Sequence, residues 1–311
     1  MPDAIEAMES AFRSVHAGEA ASFPLVREKI DARKAVFGVK SGADIPNSIL
    51  GLKAGGYWTN NAVKGLTNHQ SSTVLFNPET GQPDAFVSAN YLTAMRTAAV
   101  AGLATHYLAR SDAKVMGIVG AGAQAVFQVE AVLAVRPISR LLIASRTEET
   151  ARRLCRQVQR MGVTDVEIVS AEDAVSGADV LTTVTPSRSP VIQRDWVRPG
   201  THINAMGSDT RGKHELDPKI LKAARVYIDD WTQVAAVGEC QHGVTDWGMV
   251  EEDVTGTLGA LVTRAAGARE NAEDITVFDS TGMAIQDLSV ARIVVDSARI
   301  RGCGCQIELD P

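Results

Sequence analysis

Beyond residue 113, short apolar runs alternate with segments whose apolar residues recur every three or four positions. The runs are 114–119, Leu141-Leu142-Ile143-Ala144, Val166-Glu167-Ile168-Val169, Val180-Leu181-Thr182-Thr183-Val184, His202-Ile203-Asn204-Ala205-Met206, Val226-Tyr227-Ile228 and Ile275-Thr276-Val277-Phe278. Helices are expected between them, including 147–161 and 216–224. This alternation predicts a doubly wound parallel sheet with helices on both faces. The first part of the chain reads differently. Ile5, Met8, Ala11, Phe12 and Val15 predict a helix over 2–16. Pro24 holds Phe23–Arg27 extended. Strands are expected at Val36–Lys40 and Ile49–Lys53, then a hairpin within 73–90 that turns at Asn77-Pro78-Glu79-Thr80-Gly81. A helix rich in small residues spans 91–109. The last helix starts near Ile285 and stops at Arg301-Gly302, a C-terminal signal. It follows the last sheet strand, so it is expected to return to the first domain. The expected division is 1–112 with 286–311, and 113–285 between them.

Composition narrows the class. The 311 residues carry a formal net charge of -6 and no block of like charge, which argues against a nucleic-acid partner. No apolar run is long enough to span a bilayer, and the acidic, amphipathic N-terminus is unlike a signal peptide. A cytoplasmic protein is expected. Cys155, Cys240, Cys303 and Cys305 form no CxxC pair, so free thiols are expected and no metal site.

The candidate chemistry starts at Gly117-Ile118-Val119-Gly120-Ala121-Gly122-Ala123-Gln124-Ala125. Gly120, Gly122 and Ala125 have the spacing of a dinucleotide fingerprint, between a strand and a helix. Gly120 permits the tight turn, Gly122 a close approach to pyrophosphate, and Ala125 close helix packing. The next strand ends in Ser145-Arg146-Thr147, with no acid for a ribose 2′-hydroxyl. These residues suit a 2′-phosphate, although Glu148 and Glu149 follow. Other polar strand ends are Thr185-Pro186-Ser187 and Gly207-Ser208-Asp209. Arg27 is a solvated edge charge or an anion contact. Lys53 is an edge gatekeeper or points into a cleft. Asn68-His69-Gln70-Ser71 is a polar loop or a ligand lining. Arg96, in a small apolar stretch, needs an anionic partner if buried: a bound carboxylate, or an acid of the protein.

In order along the chain stand Lys53, Arg96-Thr97-Ala98-Ala99, Gly120-Ala121-Gly122-x-Gln124, Thr185-Pro186-Ser187-Arg188-x-Pro190, Gly207-Ser208-Asp209, Glu215-Leu216-Asp217, Gly238-Glu239 and Gly282-x-Ala284-Ile285-Gln286-Asp287. Over nearly its whole length the chain resembles the ornithine cyclodeaminase/mu-crystallin family. That resemblance implies a Rossmann-type doubly wound domain inserted in a smaller α+β domain for substrate binding and dimerisation. It implies a homodimer and NAD(H) or NADP(H) chemistry on amino acids and imines. By resemblance, Arg27, Lys53 and Arg96 bind a substrate carboxylate. Lys53 is also a candidate proton donor, and Asp209 the catalytic carboxylate. Thr97 and Gly120, Ala121, Gly122, Ala123 and Gln124 match phosphate contacts. Thr185 and Ser187 fall on the ribose and adenine side, and Gly282 with its neighbour Thr281 near the nicotinamide; Ser145, Arg146, Thr147, Met206 and Gly207 complete the candidate cofactor-binding set. Two departures stand out. Asn77 replaces an Asp frequent in the family. The chain also begins at its first helix, where a strand usually precedes, so either the recorded start is late or this member lacks that strand.

Three reactions follow from the resemblance: imine reduction, cyclodeamination with catalytic NAD, or nicotinamide binding without catalysis. Lys53 and Asp209 count against the third. Gly51–Trp58, Asn68-His69-Gln70-Ser71 and Gly238-Glu239-Cys240-Gln241-His242 resemble the iminosuccinate reductase branch. There His69, Gln70, Ser71 and His242 are candidates for a second substrate carboxylate. No acidic site for a distal amine is evident. The expectation is NAD(P)H-dependent reduction of a small α-imino acid, iminosuccinate foremost.

Overall fold

The computed structural model describes residues 1–308. In chain order the elements are α1 (Pro2–His16), β1 (Ala20–Ser22), β2 (Val26–Ile30), β3 (Ala35–Asp44), β4 (Ile49–Trp58), β5 (His69–Phe76), β6 (Pro83–Ser88) and α2 (Asn90–Leu108). Next come β7 (Val115–Val119), α3 (Ala125–Leu133), β8 (Arg140–Ala144), α4 (Glu148–Gln159), β9 (Asp165–Ile168), α5 (Ala171–Gly177), β10 (Val180–Thr183), β11 (Arg188–Ile192) and β12 (His202–Ala205). The rest are β13 (His214–Leu216), α6 (Lys219–Ala223), β14 (Arg225–Ile228), α7 (Trp231–Val237), α8 (Cys240–Trp247), β15 (Gly256–Thr257), α9 (Leu258–Val262), β16 (Thr276–Asp279) and α10 (Ala284–Ile300). No described helix is long and apolar enough to cross a membrane.

The chain forms two compact units. One holds 1–16 and 94–283 and is built on an eight-stranded sheet, ordered β15-β14-β16-β12-β10-β7-β8-β9. Every pairing in it is parallel. Its central strands are buried on both faces, with Ile118, Ile143, Leu181, Ile203 and Val277 essentially inaccessible, as expected where helices cover both sides. Strand order reverses between β7 and β10, where such sheets open a crevice at their carboxyl edge. The strands fall where the apolar runs predict them. The expected helix at 216–224 is corrected: Leu216 ends β13, and only Lys219–Ala223 is helical. Pro218 restricts the preceding residue to extended backbone, so the helix cannot start earlier.

The other unit holds 17–93 and the chain from Ala284 on. Its antiparallel sheet runs β1-β3-β4-β5-β6, with β2 also on β3, and α10 packs on β3, β4 and β5. Lys53 is in register with Lys40 on one side and Thr73 on the other. Two differences from the expected division stand out: residues 94–112, with most of α2, are grouped with the parallel sheet, and so is α1. Its last turn lies on Gly259, where a Cβ would stand 2.9 Å from Phe12 O and 3.1 Å from His16 Cβ.

Candidate active site

In the parallel-sheet unit, the predicted residues line the carboxyl edge. Gly120 ends β7 with φ +106, and a Cβ there would stand 2.8 Å from Val184 O. Only glycine takes that backbone beside that carbonyl without strain. Ala121 is buried, Gly122 and Ala123 are exposed, and a Cβ on Gly122 would meet open space. No side chain caps the N-terminus of α3, and the buried Gln124 Oε1 lacks a hydrogen-bond partner. An uncapped helix start behind a bare glycine turn fits a pyrophosphate.

At the end of β8, Ser145 Oγ shares a hydrogen bond of 3.1 Å with Thr150 Oγ1 and accepts from Thr147 N at 3.3 Å. Arg146 is exposed. Glu148 is drawn aside by Arg152, whose Nε donates to it at 2.9 Å. The strand end therefore offers hydroxyls and a guanidinium.

Four buried acids that the sequence reading left without a role hold this edge in shape. Glu215 is fully buried. It accepts from Thr183 Oγ1 (2.7 Å), Thr185 N (2.6 Å) and Gly207 N (2.9 Å), and so ties the ends of β10 and β12 together. Glu239 accepts from Ser208 Oγ, Glu215 N and Leu216 N. Burial, then the neighbouring Glu215 and Asp279, push its carboxyl up to about 8. Asp279 accepts from Cys240 N at 2.9 Å, and burial raises it to about 7. Asp229 accepts from Thr281 N (3.0 Å), Gly282 N (2.7 Å) and Ser280 Oγ (2.9 Å). Asp229 directly follows an apolar strand and Asp279 ends one, in Val226-Tyr227-Ile228-Asp229 and Val277-Phe278-Asp279. That placement is the signal by which sequence could have found them.

Asp209 follows this braced loop and is half exposed. Lys213 Nζ stands 2.6 Å from its Oδ1 and donates to Gly207 O at 3.1 Å. Met206, just before, donates its N–H to Thr183 O. Ser187 N donates to Thr185 Oγ1 at 3.2 Å. His242 Nε2 donates to Lys213 O at 2.7 Å, and its ring stacks on His214 with centroids 3.5 Å apart. Burial and His242 lower the pKa of His214. Arg96 is buried, 7% exposed, one residue before Thr97 on α2. Its guanidinium lies where a Cβ on Gly282 would be, and Gly282 holds φ +81. The unit thus brings Arg96, Gly282 and Asp229 together.

In the antiparallel unit, Lys53 is buried on β4 and its Nζ stands 2.8 Å from Asp287 Oδ2. Gln70 and His69 pair with Gly56 and Tyr57, three and four positions along the ladder from Lys53. At about 3.4 Å per residue this spacing keeps them off the lysine. Gln70 Nε2 donates to Thr67 O at 2.8 Å, and its Oε1 accepts from Asn90 Nδ2 at 3.0 Å. Ser71 N donates to Asn90 Oδ1 at 2.7 Å. Arg27 lies on β2, exposed throughout.

Comparison with known proteins agrees with this architecture. The model of the ornithine cyclodeaminase/mu-crystallin family matches residues 1–302. An iminosuccinate reductase of Paracoccus denitrificans is 42% identical over 98% of this chain and 95% of its own. Its crystal structure in complex with NAD+ superposes with a TM-score of 0.94, covering 99% and 95% of the two chains. An alanine dehydrogenase of Archaeoglobus fulgidus is 39% identical over 99% of this chain and 94% of its own. A Δ1-pyrroline-2-carboxylate reductase of Thermococcus litoralis, solved with NADH and L-proline, has a TM-score of 0.95 at 30% identity, covering 99% and 96%.

Proposed function

The chain belongs to the ornithine cyclodeaminase/mu-crystallin family, and from that premise we propose that it reduces iminosuccinate to L-aspartate. More broadly, it is an NAD(P)H-dependent enzyme that reduces small α-imino acids to L-amino acids. The observation that carries the substrate class is Arg96. A guanidinium buried to this degree against the backbone of Gly282 is a ready clamp for a carboxylate. An α-imino acid carries that carboxylate beside the carbon to be reduced, so clamping it also orients the carbon.

The residues of the carboxyl edge fit a dinucleotide. Gly120 to Gln124 would hold the pyrophosphate with Thr97, and Ser145, Arg146, Thr147, Thr185 and Ser187 the ribose and adenine. Met206, Gly207, Thr281 and Gly282 would hold the nicotinamide. When bound, the reduced nicotinamide supplies a hydride. The chain supplies the rest. By the family resemblance, Arg96, Lys53 and Arg27 are each assigned to the carboxylate. Lys53 Nζ–H protonates the imine nitrogen, which makes the carbon a better acceptor, and takes a proton back from solvent. Asp209, held by Lys213, stabilises the positive charge on that nitrogen. A second carboxylate would fall to His242, since His69 and Gln70 stand off Lys53 along the ladder. The hydroxyl-rich end of β8, with Arg146 exposed and Glu148 engaged by Arg152, supports use of NADPH as well as NADH.

We place the protein in the cytoplasm, where its four free cysteines stay reduced. We propose a homodimer. Phe23, Leu25, Val26, Ile30 and Phe37 are exposed apolar side chains of the antiparallel unit that a partner would cover. An archaeal alanine dehydrogenase solved as a dimer with NAD is 37% identical. A single-chain mass by light scattering would overturn the dimer.

The function is tested by mixing the protein with NADH or NADPH, ammonia and a panel of 2-oxo acids. Ammonia-dependent loss of reduced-cofactor absorbance, fastest with oxaloacetate, is expected. Ammonia release from ornithine with catalytic NAD, and no loss with any acid, would make it a cyclodeaminase instead.

A further inference from the structure

Lys53 lies on the face of its sheet that α10 covers. Ile49, Gly51 and Lys53 alternate as buried positions along β4. The helix comes this close because two positions opposite it lack side chains. A Cβ on Gly51 would stand 3.0 Å from Leu288 Cδ2, and one on Gly42 would stand 3.3 Å from Ile285 Cδ1. Ile285 and Leu288 seat the first turn of α10 on the strands, and Asp287 between them meets Lys53 at 2.8 Å. The two side chains are only 9% and 2% exposed. A lysine buried so far holds its charge only beside a partner. The two residues in register with it on the sheet supply none. Lys40 is in register with Lys53 on the same face, a second cation. Thr73, in register on the other side, is uncharged and fully buried. Asp44 shares that face further along β3, and its Oδ2 accepts from Asn47 Nδ2 at 2.8 Å.

We propose that Asp287 is a positioning residue for the reduction. It fixes the Lys53 ammonium and keeps it protonated against Lys40, so that Nζ–H is available to the imine nitrogen. The inference rests on the role given to Lys53 above. A carboxylate that only braced the helix would affect stability and leave the protonation of Lys53 unread in the rate.

The test compares the full-length protein with Asp287→Asn, Asp287→Glu and Lys53→Met. Each is loaded with NADH and assayed with oxaloacetate and ammonia from about pH 6 to 10. Asp287→Asn is expected to lower kcat at least about tenfold. Its basic limb should move down by about one pH unit or more, since loss of the carboxylate lets Lys53 deprotonate earlier. NADH affinity should stay within about threefold, because the dinucleotide loop belongs to the other unit. Asp287→Glu keeps the charge and displaces it, so kcat should fall at least about fivefold with the limb in place. That variant carries the test if Asp287→Asn does not fold. A lower kcat with an unmoved limb in Asp287→Asn would make Asp287 structural and overturn the proposal. So would wild-type kcat in either variant while Lys53→Met is inactive. Wild-type rates in Lys53→Met would instead remove the role of Lys53, and the proposal with it.

Discussion

At the scale of single residues, substrate binding and proton transfer turn on buried charge. Arg96→Leu keeps much of the packing volume and removes the clamp. It is expected to lower kcat/KM at least about a hundredfold, close to 3 kcal/mol, with the melting temperature little changed. Activity within about tenfold of wild type would contradict the clamp. Arg96 was legible in the sequence because a lone arginine among Ala and Thr on a helix demands an explanation. Glu215, Glu239, Asp229 and Asp279 were not assigned, because an acid's role depends on which N–H groups surround it after folding. Asp287 was quoted only as part of a motif. Its meaning appears once Gly42 and Gly51 let α10 settle onto β4. His69 and Gln70 show the opposite case. Their polarity suggested a ligand lining, yet Gln70 is engaged by Thr67 and Asn90, and both stand off Lys53 along the ladder.

At the scale of elements, apolar runs of three to six residues marked every central strand of the parallel sheet. The elements missed were short or polar. Arg188–Ile192 contains Pro190 and pairs only with the three-residue β13. Trp231–Val237 and Cys240–Trp247 are too brief for helical periodicity to show. Strand β12 carries a polar ladder inside the unit. His202 Nδ1 bonds Thr276 Oγ1 at 3.0 Å, its Nε2 bonds Asn204 Oδ1 at 3.1 Å, and Asn204 Nδ2 donates to Thr105 Oγ1 of α2 at 2.9 Å. Burial, first, and the nearby Arg269 lower the pKa of His202 to about 3, from 6.5. The folded state therefore binds fewer protons than the unfolded chain across that window. The contribution of this residue to stability is whole above about pH 6.5 and falls by roughly 1.4 kcal/mol per unit as pH drops towards 3. Replacing His202 by Gln removes the titration. Between pH 6.5 and 5 the wild type should lose roughly 2 kcal/mol relative to H202Q in denaturant unfolding. Parallel losses in the two proteins would show that His202 does not titrate there.

At the scale of the whole molecule, the chain combines a parallel sheet built to bind a dinucleotide with an antiparallel unit that carries a buried lysine. Sequence alone predicted both sheets and the return of the last helix. It did not predict that α1 is grouped with the parallel sheet, since an amphipathic helix does not name the surface it covers. In the proposed reaction, hydride goes to the carbon of a C=N bond in a dicarboxylic imino acid. The most direct test follows the atoms. The protein is incubated with oxaloacetate, 15N-ammonia and NADH deuterated at C4 on the transferring face, and the products are read by NMR and mass spectrometry. The expected product is L-aspartate carrying 15N and one deuterium at Cα, formed in step with cofactor oxidation. Deuterated malate would mean that the ketone is the acceptor, and aspartate without deuterium would contradict hydride transfer to the imine carbon.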